Sequence, residues 1–175
     1  METSSGLSKD QLPLAEFFKE ELRDIYGAEK QLAQVLPKLR KAATSPDLAM
    51  AFADHLTVTQ NQISRLEQIF QILGEKVEAK KCEGMEGLIK EGESVIQDTE
   101  AGSATRDVGL IVSAQKVEHY EIAAYGSLRQ LAKTIDKEDV SRMLEETLQE
   151  EKETDMLLSN LAETLINQEA STEIR

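Results

Sequence analysis

The chain has few of the cysteines whose disulfide bonds stabilise small secreted proteins: Cys82 is the single cysteine in 175 residues. A single cysteine excludes an intramolecular disulfide and a cysteine-rich metal knuckle, and it fits a reducing compartment. No stretch approaches about eighteen uninterrupted apolar residues, and the N-terminal sequence METSSGLSKDQ lacks the basic-then-apolar order of a signal peptide. We therefore expect a cytoplasmic protein that has no membrane partner.

Positive charge is also scarce, since 20 lysines and arginines face 33 aspartates and glutamates, for a net charge of −13. Such a surface would repel nucleic acid and anionic membranes, so we expect neither as a partner. The sequence has no glycine-rich phosphate loop, serine nucleophile elbow or zinc-protease motif, which argues against nucleotide-binding and hydrolase functions. Whether the protein is an enzyme stays open.

Helix breakers are few, with nine glycines and three prolines, and leucine, alanine, glutamate, lysine and glutamine dominate. This composition predicts an all-α protein. Pro13 suits the first turn of one long helix, and Ser45 and Gly74 suit the two ends of a second. A short helix over GMEGLIKEGESVIQD follows. Two more long helices complete the chain, one capped by Thr105 and one that begins near Asp136.

Two hairpins of long helices joined by one long connection predict a ferritin-like antiparallel four-helix bundle with a short fifth helix in the crossover. The bundle domain is expected at residues 13–168. A flexible N-terminus at 1–12 and a polar C-terminal tail at 169–175 would flank it.

Carboxylates interrupt the apolar stripes of three long helices near their middles. The interruptions are Glu29 in the first, Glu118 and Glu121 in the third, and Glu151 and Asp155 in the fourth. Because the middles of antiparallel helices lie at one level, we expect these five side chains to converge in the core. The predicted stripe of the first helix also contains Phe18, Leu22, Ile25, Leu32, Leu36 and Leu39. That of the third helix also contains Ile111, Ala114, Tyr125 and Leu128, and that of the fourth contains Leu144, Leu148, Leu158, Ala162 and Leu165.

The second helix has a different interruption, Thr59, with His55 one turn before it and Gln62 one turn after it. Its predicted inward residues are Phe52, Leu56, Thr59, Ile63, Leu66, Phe70 and Leu73. Two interpretations of His55 stay open: a histidine at the edge of the core that is bonded to a neighbour, or a metal ligand that faces Glu118 and Glu151.

Burial of each of these five carboxylates in its ionised form would cost on the order of several kcal/mol of folding free energy unless the charge is neutralised. Oxygen ligands spaced i, i+3 or i, i+4 on facing helices, with a lone glutamate from another helix, are the way bundle proteins build di-iron or di-manganese sites. The pattern therefore indicates a metal-binding layer. The competing interpretation, solvated glutamates and a register that is off by one residue, stays open.

Several segments resemble the YciE/YciF family, among them DIYGAEKQL, KKCEGMEGLIKEG, QKVEHYEIAAYGSL and ETLQEEKETD. That family consists of bacterial ferritin-like proteins associated with stress, with a bundle similar to rubrerythrin and often a dimer. The resemblance implies that Glu29, Glu118, Glu121, Glu151 and Asp155 occupy the positions of metal ligands. Helix two departs from it, since HLTVTQNQ replaces the family's HLEET pattern.

Two classes of function follow. The first is a carboxylate-bridged protein that binds one or two ions of iron or manganese and handles iron, oxygen or peroxide. The second is a non-catalytic helical stress or scaffold protein with a degenerate site and no metal. The resemblance, together with apolar residues outside the inward stripes such as Phe17, Ile69 and Ile72, predicts a homodimer.

Overall fold

The structure, a computed structural model, describes residues 12–174, which form helices and short connections with no strand in that range. The helices are α1 (Pro13–Ala42), α2 (Pro46–Leu73), α3 (Glu83–Asp98), α4 (Ala104–Thr134) and α5 (Glu138–Leu161). A π-helical turn (Ala162–Ile166) and a short α6 (Asn167–Ser171) continue α5. The predicted all-α class is confirmed. The predicted flexible N-terminus falls almost wholly on residues 1–11, which lie outside the described part of the chain.

The four long helices pack as an antiparallel bundle in the ring order α1, α2, α5, α4. α1 and α2 form one hairpin, α4 and α5 form the other, and α3 runs back along α1 and α4 between them. As a result, α4 starts at the end of the bundle where α1 stops. There the Asp107 carboxylate accepts hydrogen bonds from the backbone amides of Thr44 (2.8 Å) and Ser45 (2.6 Å). This is the predicted bundle with a short fifth helix in its crossover.

The two ends of α2 follow from local chemistry, as predicted. The Ser45 side chain accepts a hydrogen bond from the amide of Leu48 and so caps the first turn. Gly74 ends the helix with a φ of 69°, a left-handed conformation that favours glycine. In the range 12–174, no helix combines the length and the hydropathy needed to cross a bilayer.

Two predicted helix starts in the second hairpin are wrong. Ser103, rather than Thr105, caps α4, because its side chain accepts the hydrogen bond from the amide of Arg106. α5 begins at Glu138, and Asp136 has a φ of 62°, which an α-helix does not allow.

The buried stripes of α1 and α4 follow the predicted positions along their length. All of these are buried: Phe18, Leu22, Ile25, Glu29, Leu32, Leu36 and Leu39 in α1, and Ile111, Ala114, Glu118, Glu121, Tyr125 and Leu128 in α4. α2 follows its prediction in part, since Phe52, Thr59, Leu66 and Phe70 are buried as expected. The half-buried residues are Leu56, Ile63 and Leu73, whereas His55, Gln62 and Ile69 are fully buried. Ile69 was expected at a dimer surface, and this was wrong because it packs in the chain's own core.

The connection from α2 to α3 crosses directly over α1. The Lys80 amide donates to the Arg23 carbonyl (3.0 Å), and a Cβ at Gly27 would lie only 1.7 Å from the Lys80 carbonyl oxygen. Position 27 therefore has to be glycine for the two backbones to approach. The crossing holds the start of α3 against α1 one turn from Glu29.

The C-terminal segment returns to the first turn of α4. The Glu173 carboxylate accepts hydrogen bonds from the amides of Ala104 (2.8 Å) and Thr105 (3.0 Å). A carboxylate is favourable there because the first amides of a helix have no partner within the helix and carry partial positive charge. Part of the segment expected as a polar tail, 169–175, is thus bonded to the bundle.

Candidate metal centre

Four glutamates meet in the middle of the bundle, and we call Glu29, Glu118, Glu121 and Glu151 the acidic cluster. Each of these side chains has 0% of its surface exposed. α1 supplies Glu29, α4 supplies Glu118 and Glu121 one turn apart, and α5 supplies Glu151. Their burial shows that the predicted register of these three helices holds at the level of the cluster.

His55 from α2 completes one side of the acidic cluster. Its Nδ1 lies 3.6 Å from Glu118 Oε1, and the imidazole is buried. Burial lowers the pKa of His55 to about 4, so the ring is neutral near pH 7 and keeps a lone pair for a ligand. One donor atom each from His55, Glu118, Glu121 and Glu151 lies within 4.8 Å of all the others. This spacing suits one ion shared by several side chains.

Two buried side chains orient glutamates of the cluster. The Tyr125 hydroxyl donates a hydrogen bond of 2.5 Å to Glu29 Oε1. The Gln62 amide donates to Glu151 Oε1, and also at 3.2 Å to Glu150 Oε2. Sequence reasoning placed Gln62 one turn after Thr59 on α2 but missed its role as a hydrogen-bond donor to Glu151.

Most of the cluster's oxygens lack a hydrogen-bond donor when the glutamates are ionised. The buried atoms without a donor include both carboxylate oxygens of Glu118 and of Glu121 and one oxygen each of Glu29 and Glu151. The lining atoms Thr59 Oγ1, Gln62 Oε1 and His55 Nε2 are also unpartnered. Since buried polar atoms are nearly always satisfied, this group of orphaned oxygens calls for a cation or for protons.

The pKa values of all four glutamates in the acidic cluster are raised. Burial first, and then the charges of neighbouring glutamates, raise the pKa values of Glu29, Glu118 and Glu121 well above 4.5. The pKa of Glu151 is raised to about 7, again chiefly by burial. Without a cation, the interior therefore takes up protons that exposed glutamates would have released.

Asp155 is not brought into this buried group. Its side chain is 23% exposed and lies 3.3 Å from Nε2 of the exposed His119. Its Oδ1 also accepts a hydrogen bond of 3.2 Å from Gln115. One turn beyond Glu151, the straight helix has rotated this position towards the groove between α4 and α5. Asp155 thus lies at the edge of the acidic cluster, on the same side as His119.

An ion pair borders the cluster on the α2–α5 side. The Arg65 guanidinium donates two hydrogen bonds to Glu150, of 2.7 and 2.8 Å. Glu150 in turn accepts from Gln62, so a chain of contacts runs from Arg65 at the surface to Glu151 in the core. Sequence reasoning missed Arg65 and Glu150; the spacing of Gln62 and Arg65, three apart on one helix, was the available signal.

Residues 13–171 match the family described as "Domain of unknown function (DUF892)". The chain belongs to the DUF892 family. It is 45% identical over 150 residues to Protein YciF of Escherichia coli K12, which covers 85% of this chain and 90% of that protein. The predicted resemblance to the YciE/YciF family is thereby confirmed.

Solved structures show the same bundle. The crystal structure of the E. coli stress protein YciF matches with a TM-score of 0.84 and 44% identity, over 89% of this chain and 98% of that one. YcfI from Rhodopseudomonas palustris matches with a TM-score of 0.82 and 38% identity, over 88% of this chain and 98% of that one. The architecture of this DUF892 protein is therefore a fold that it has in common with YciF.

The residues of this DUF892 protein fit a metal ion. Three carboxylates from α4 and α5 and the neutral imidazole of α2 lie within reach of one ion, Glu29 of α1 is buried beside them, and their orphaned oxygens call for a cation or for protons. Carboxylate oxygens together with one imidazole nitrogen are better ligands for iron or manganese than for softer metal ions. The α2 side contributes only the uncharged groups of His55, Thr59 and Gln62, so the donor set is more anionic on the α1, α4 and α5 sides.

Proposed function

We propose that this protein binds iron or manganese, one or two ions, in the acidic cluster and acts on oxygen or peroxide as part of a stress response. The observation that carries the proposal is the set of buried carboxylate oxygens without hydrogen-bond donors, gathered within reach of a neutral histidine. The stress association rests on the relationship to YciF, which is described as a stress protein.

The chain's own residues would have distinct tasks in such a site. His55, Glu118, Glu121 and Glu151 would hold the ion, and Glu29 would extend the site on the α1 side. Bound iron or manganese would supply Lewis acidity and one-electron redox chemistry. Tyr125 orients Glu29 through its hydroxyl, and Gln62 orients Glu151 through its amide. Such outer partners fix ligand geometry and tune affinity.

Metal content tests the proposal directly. The protein would be produced with added iron or manganese, purified without chelators and assayed by elemental mass spectrometry beside Glu118→Gln. Glu153→Gln is the matched control, because Glu153 is exposed on α5 and its carboxylate accepts a hydrogen bond from Gln149.

We expect stoichiometric metal in the parent and in the control, and a loss of about tenfold or more in affinity for Glu118→Gln. When the parent and Glu118→Gln are treated with the same chelator, the melting temperature of the parent should fall much more than that of the variant. A parent that remains metal-free after supplementation with both metals would overturn the proposal.

A second candidate function is a non-catalytic scaffold in which the charge of the acidic cluster is neutralised by bound protons instead of a metal ion. The observation in its favour is that Tyr125 and Gln62 already donate hydrogen bonds to Glu29 and Glu151. With the raised pKa values, two of the four glutamates are thus partly stabilised by protein groups alone. A metal-free parent that is fully folded and indifferent to chelators would support this function.

A further inference from the structure

A small cavity lies directly beside the acidic cluster, between α1, α3 and α4. Its volume is about 20 Å³, and roughly 10–15 Å³ is needed to hold one water. His55 and Glu118 form its inner side. The rest of the wall is mainly aliphatic, with Leu32, Leu36, Leu88, Ile89, Ala114 and Val117 among its members. The space is therefore of the size of one small molecule and ends at two of the candidate ligands.

The wall offers few hydrogen bonds to an occupant. Apart from His55 and Glu118, its one polar side chain is Ser113, whose hydroxyl donates to the Gly109 carbonyl of its own helix at 3.0 Å. A polar occupant such as hydrogen peroxide or water could form hydrogen bonds only at the inner side, with the unpartnered His55 Nε2 and Glu118 oxygens, and would regain none along the aliphatic wall. A small apolar molecule has no such cost.

The two smallest residues of the wall leave the space open. Gly92 on α3 faces Ser113, and a Cβ at position 92 would lie 3.6 Å from Ser113 Cβ, which is ordinary contact. By contrast, a Cβ at Gly109 would lie 2.5 Å from Val95 Cγ1, so that glycine is needed for helix packing. Gly92 is therefore not required for the approach of α3 and α4. Its effect, together with Ala114, is to keep volume free next to Glu118.

We propose that this cavity binds dioxygen and holds it against the His55–Glu118 side of the acidic cluster. A non-polar diatomic gas matches the size of the cavity and its aliphatic wall, whereas hydrogen peroxide would find hydrogen-bond partners only at the His55–Glu118 side. This proposal deepens the proposed function by naming dioxygen as the oxidant. The reaction of the bound gas rests on that function, whereas the binding of the gas in the cavity does not.

Binding is measured on the metal-free protein, so that the result is independent of metal affinity. Dissolved dioxygen is paramagnetic, and under pressure it shortens the relaxation times of nearby methyl groups in NMR spectra. We expect a larger effect at the methyls of Leu32 and Leu36, which line the cavity, than at those of Leu22 and Leu144, which do not; all four side chains are buried. Xenon, as a second apolar probe, should shift the same cavity methyls.

Ala114→Leu should fill the space and abolish the excess relaxation and the xenon shifts at the cavity methyls. The matched control is Ala123→Leu, an exposed position of the same helix, which should leave both intact. Gly92→Ala, for which the backbone has room, should reduce both signals if Ala114→Leu does not fold.

Equal relaxation of cavity and reference methyls in the parent would overturn the inference, as would an unchanged response in a folded Ala114→Leu. A protein that takes up neither iron nor manganese after supplementation but binds both gases would contradict the proposed function and leave the dioxygen site standing. Stoichiometric metal without gas binding would do the reverse.

Discussion

At the scale of single residues, the main feature is that Glu118 and Glu121 are completely buried and that no lysine or arginine within residues 12–174 donates a hydrogen bond to either carboxylate. His55 cannot neutralise them near pH 7, because burial lowers its pKa to about 4. Only an added cation or bound protons can therefore offset their charge. Each alternative makes stability depend on solution conditions in a different way.

In the metal-free protein, we expect stability to fall as pH rises. The folded state keeps protons on the acidic cluster because its pKa values are raised, whereas the unfolded chain releases them near 4.5. The favourable contribution is thus fully present below about pH 4.5 and is lost as pH rises through the raised pKa values, of which that of Glu151 is about 7. His55, with its lowered pKa, contributes in the opposite direction below its ordinary value of 6.5. Urea denaturation at a series of pH values measures the net effect of the glutamates and His55 on the free energy of unfolding.

The double variant Glu118→Gln and Glu121→Leu isolates the contribution of the cluster to this pH dependence. It should be more stable than the metal-free parent at alkaline pH, because two groups that must lose protons have been removed. The exposed pair Glu145→Gln and Glu153→Gln is the control and should leave the slope unchanged. An unaltered slope in the buried double variant would show that these two glutamates do not control the titration.

Tyr125→Phe tests the contribution of one oriented hydrogen bond. The change removes the hydroxyl that donates to Glu29 and leaves a fully buried carboxyl without that partner. We expect metal-free protein to lose about 1–3 kcal/mol of unfolding free energy, as for other buried groups left unsatisfied. Denaturant unfolding gives the value. Tyr26→Phe is the comparison: its hydroxyl donates to Glu67 at a partly exposed site, so a loss as large as that of Tyr125→Phe would contradict the argument.

At the scale of the helices, hydrophobic spacing predicted the inward residues of α1 and α4 well and those of α2 only in part. In α1 and α4 the stripe is long and apolar on both sides of the glutamates, so the register is set by many residues. In α2 the true inward positions include His55 and Gln62, which a hydrophobic pattern scores as outward. The predicted stripe consequently rotated to Leu56 and Ile63. The polar residues that line the candidate site are thus what hid the orientation of the helix.

The end of α5 shows a second limit of the heptad pattern. Leu165 was predicted to point inward, yet the buried residue is Ile166 and Leu165 is only half-buried. The π-helical turn Ala162–Ile166 accounts for the shift, because a π turn contains about one residue more than an α turn. Nothing in the local composition signals this insertion. The same turn keeps the last apolar residue of the bundle in its core.

Gly27→Ala tests whether the crossing segment is held against α1. The new methyl group would collide with the Lys80 carbonyl, which is backbone and has no flexible side chain to move aside. We expect a loss of about 3 kcal/mol, at the upper end of overpacking costs, and faster hydrogen exchange at the Lys80 amide. Gly126→Ala on α4 has open space and should instead add about 0.5–1 kcal/mol through helix propensity. Equal effects of the two changes would refute the close approach.

At the scale of the whole molecule, two hairpins and one long crossover were predictable because glycine, proline and capping residues divide the chain clearly. The convergence of the glutamates followed from that topology, since antiparallel helices place their middles at one level. The position of Asp155 did not follow, because a small rotation per heptad decides which side of α5 faces the core. Sequence thus located the layer, and only three-dimensional packing selected its members.

We also expect the protein to form a homodimer, and the structure suggests where to test this. Phe17 is 53% and Ile72 is 55% exposed, and both lie at the end of the bundle where α1 begins and α2 finishes. Phe17→Lys should shift the parent from dimer to monomer in sedimentation equilibrium, because a charge replaces buried apolar area. Met156→Lys, an exposed methionine on α5, is the control. A parent that sediments as a monomer at every concentration would contradict the expectation.

The acidic cluster is divided between the two hairpins, and this division affects how the protein folds. The first hairpin carries Glu29 and His55, and the second carries Glu118, Glu121 and Glu151. Neither half can bury its polar groups against an apolar partner, so desolvation has to wait for docking of the halves. The most expensive step of burial and the joining of the hairpins are therefore one event. A misdocked bundle would leave charge facing hydrocarbon, and for that reason the same residues that weaken the core also reject wrong pairings of its helices.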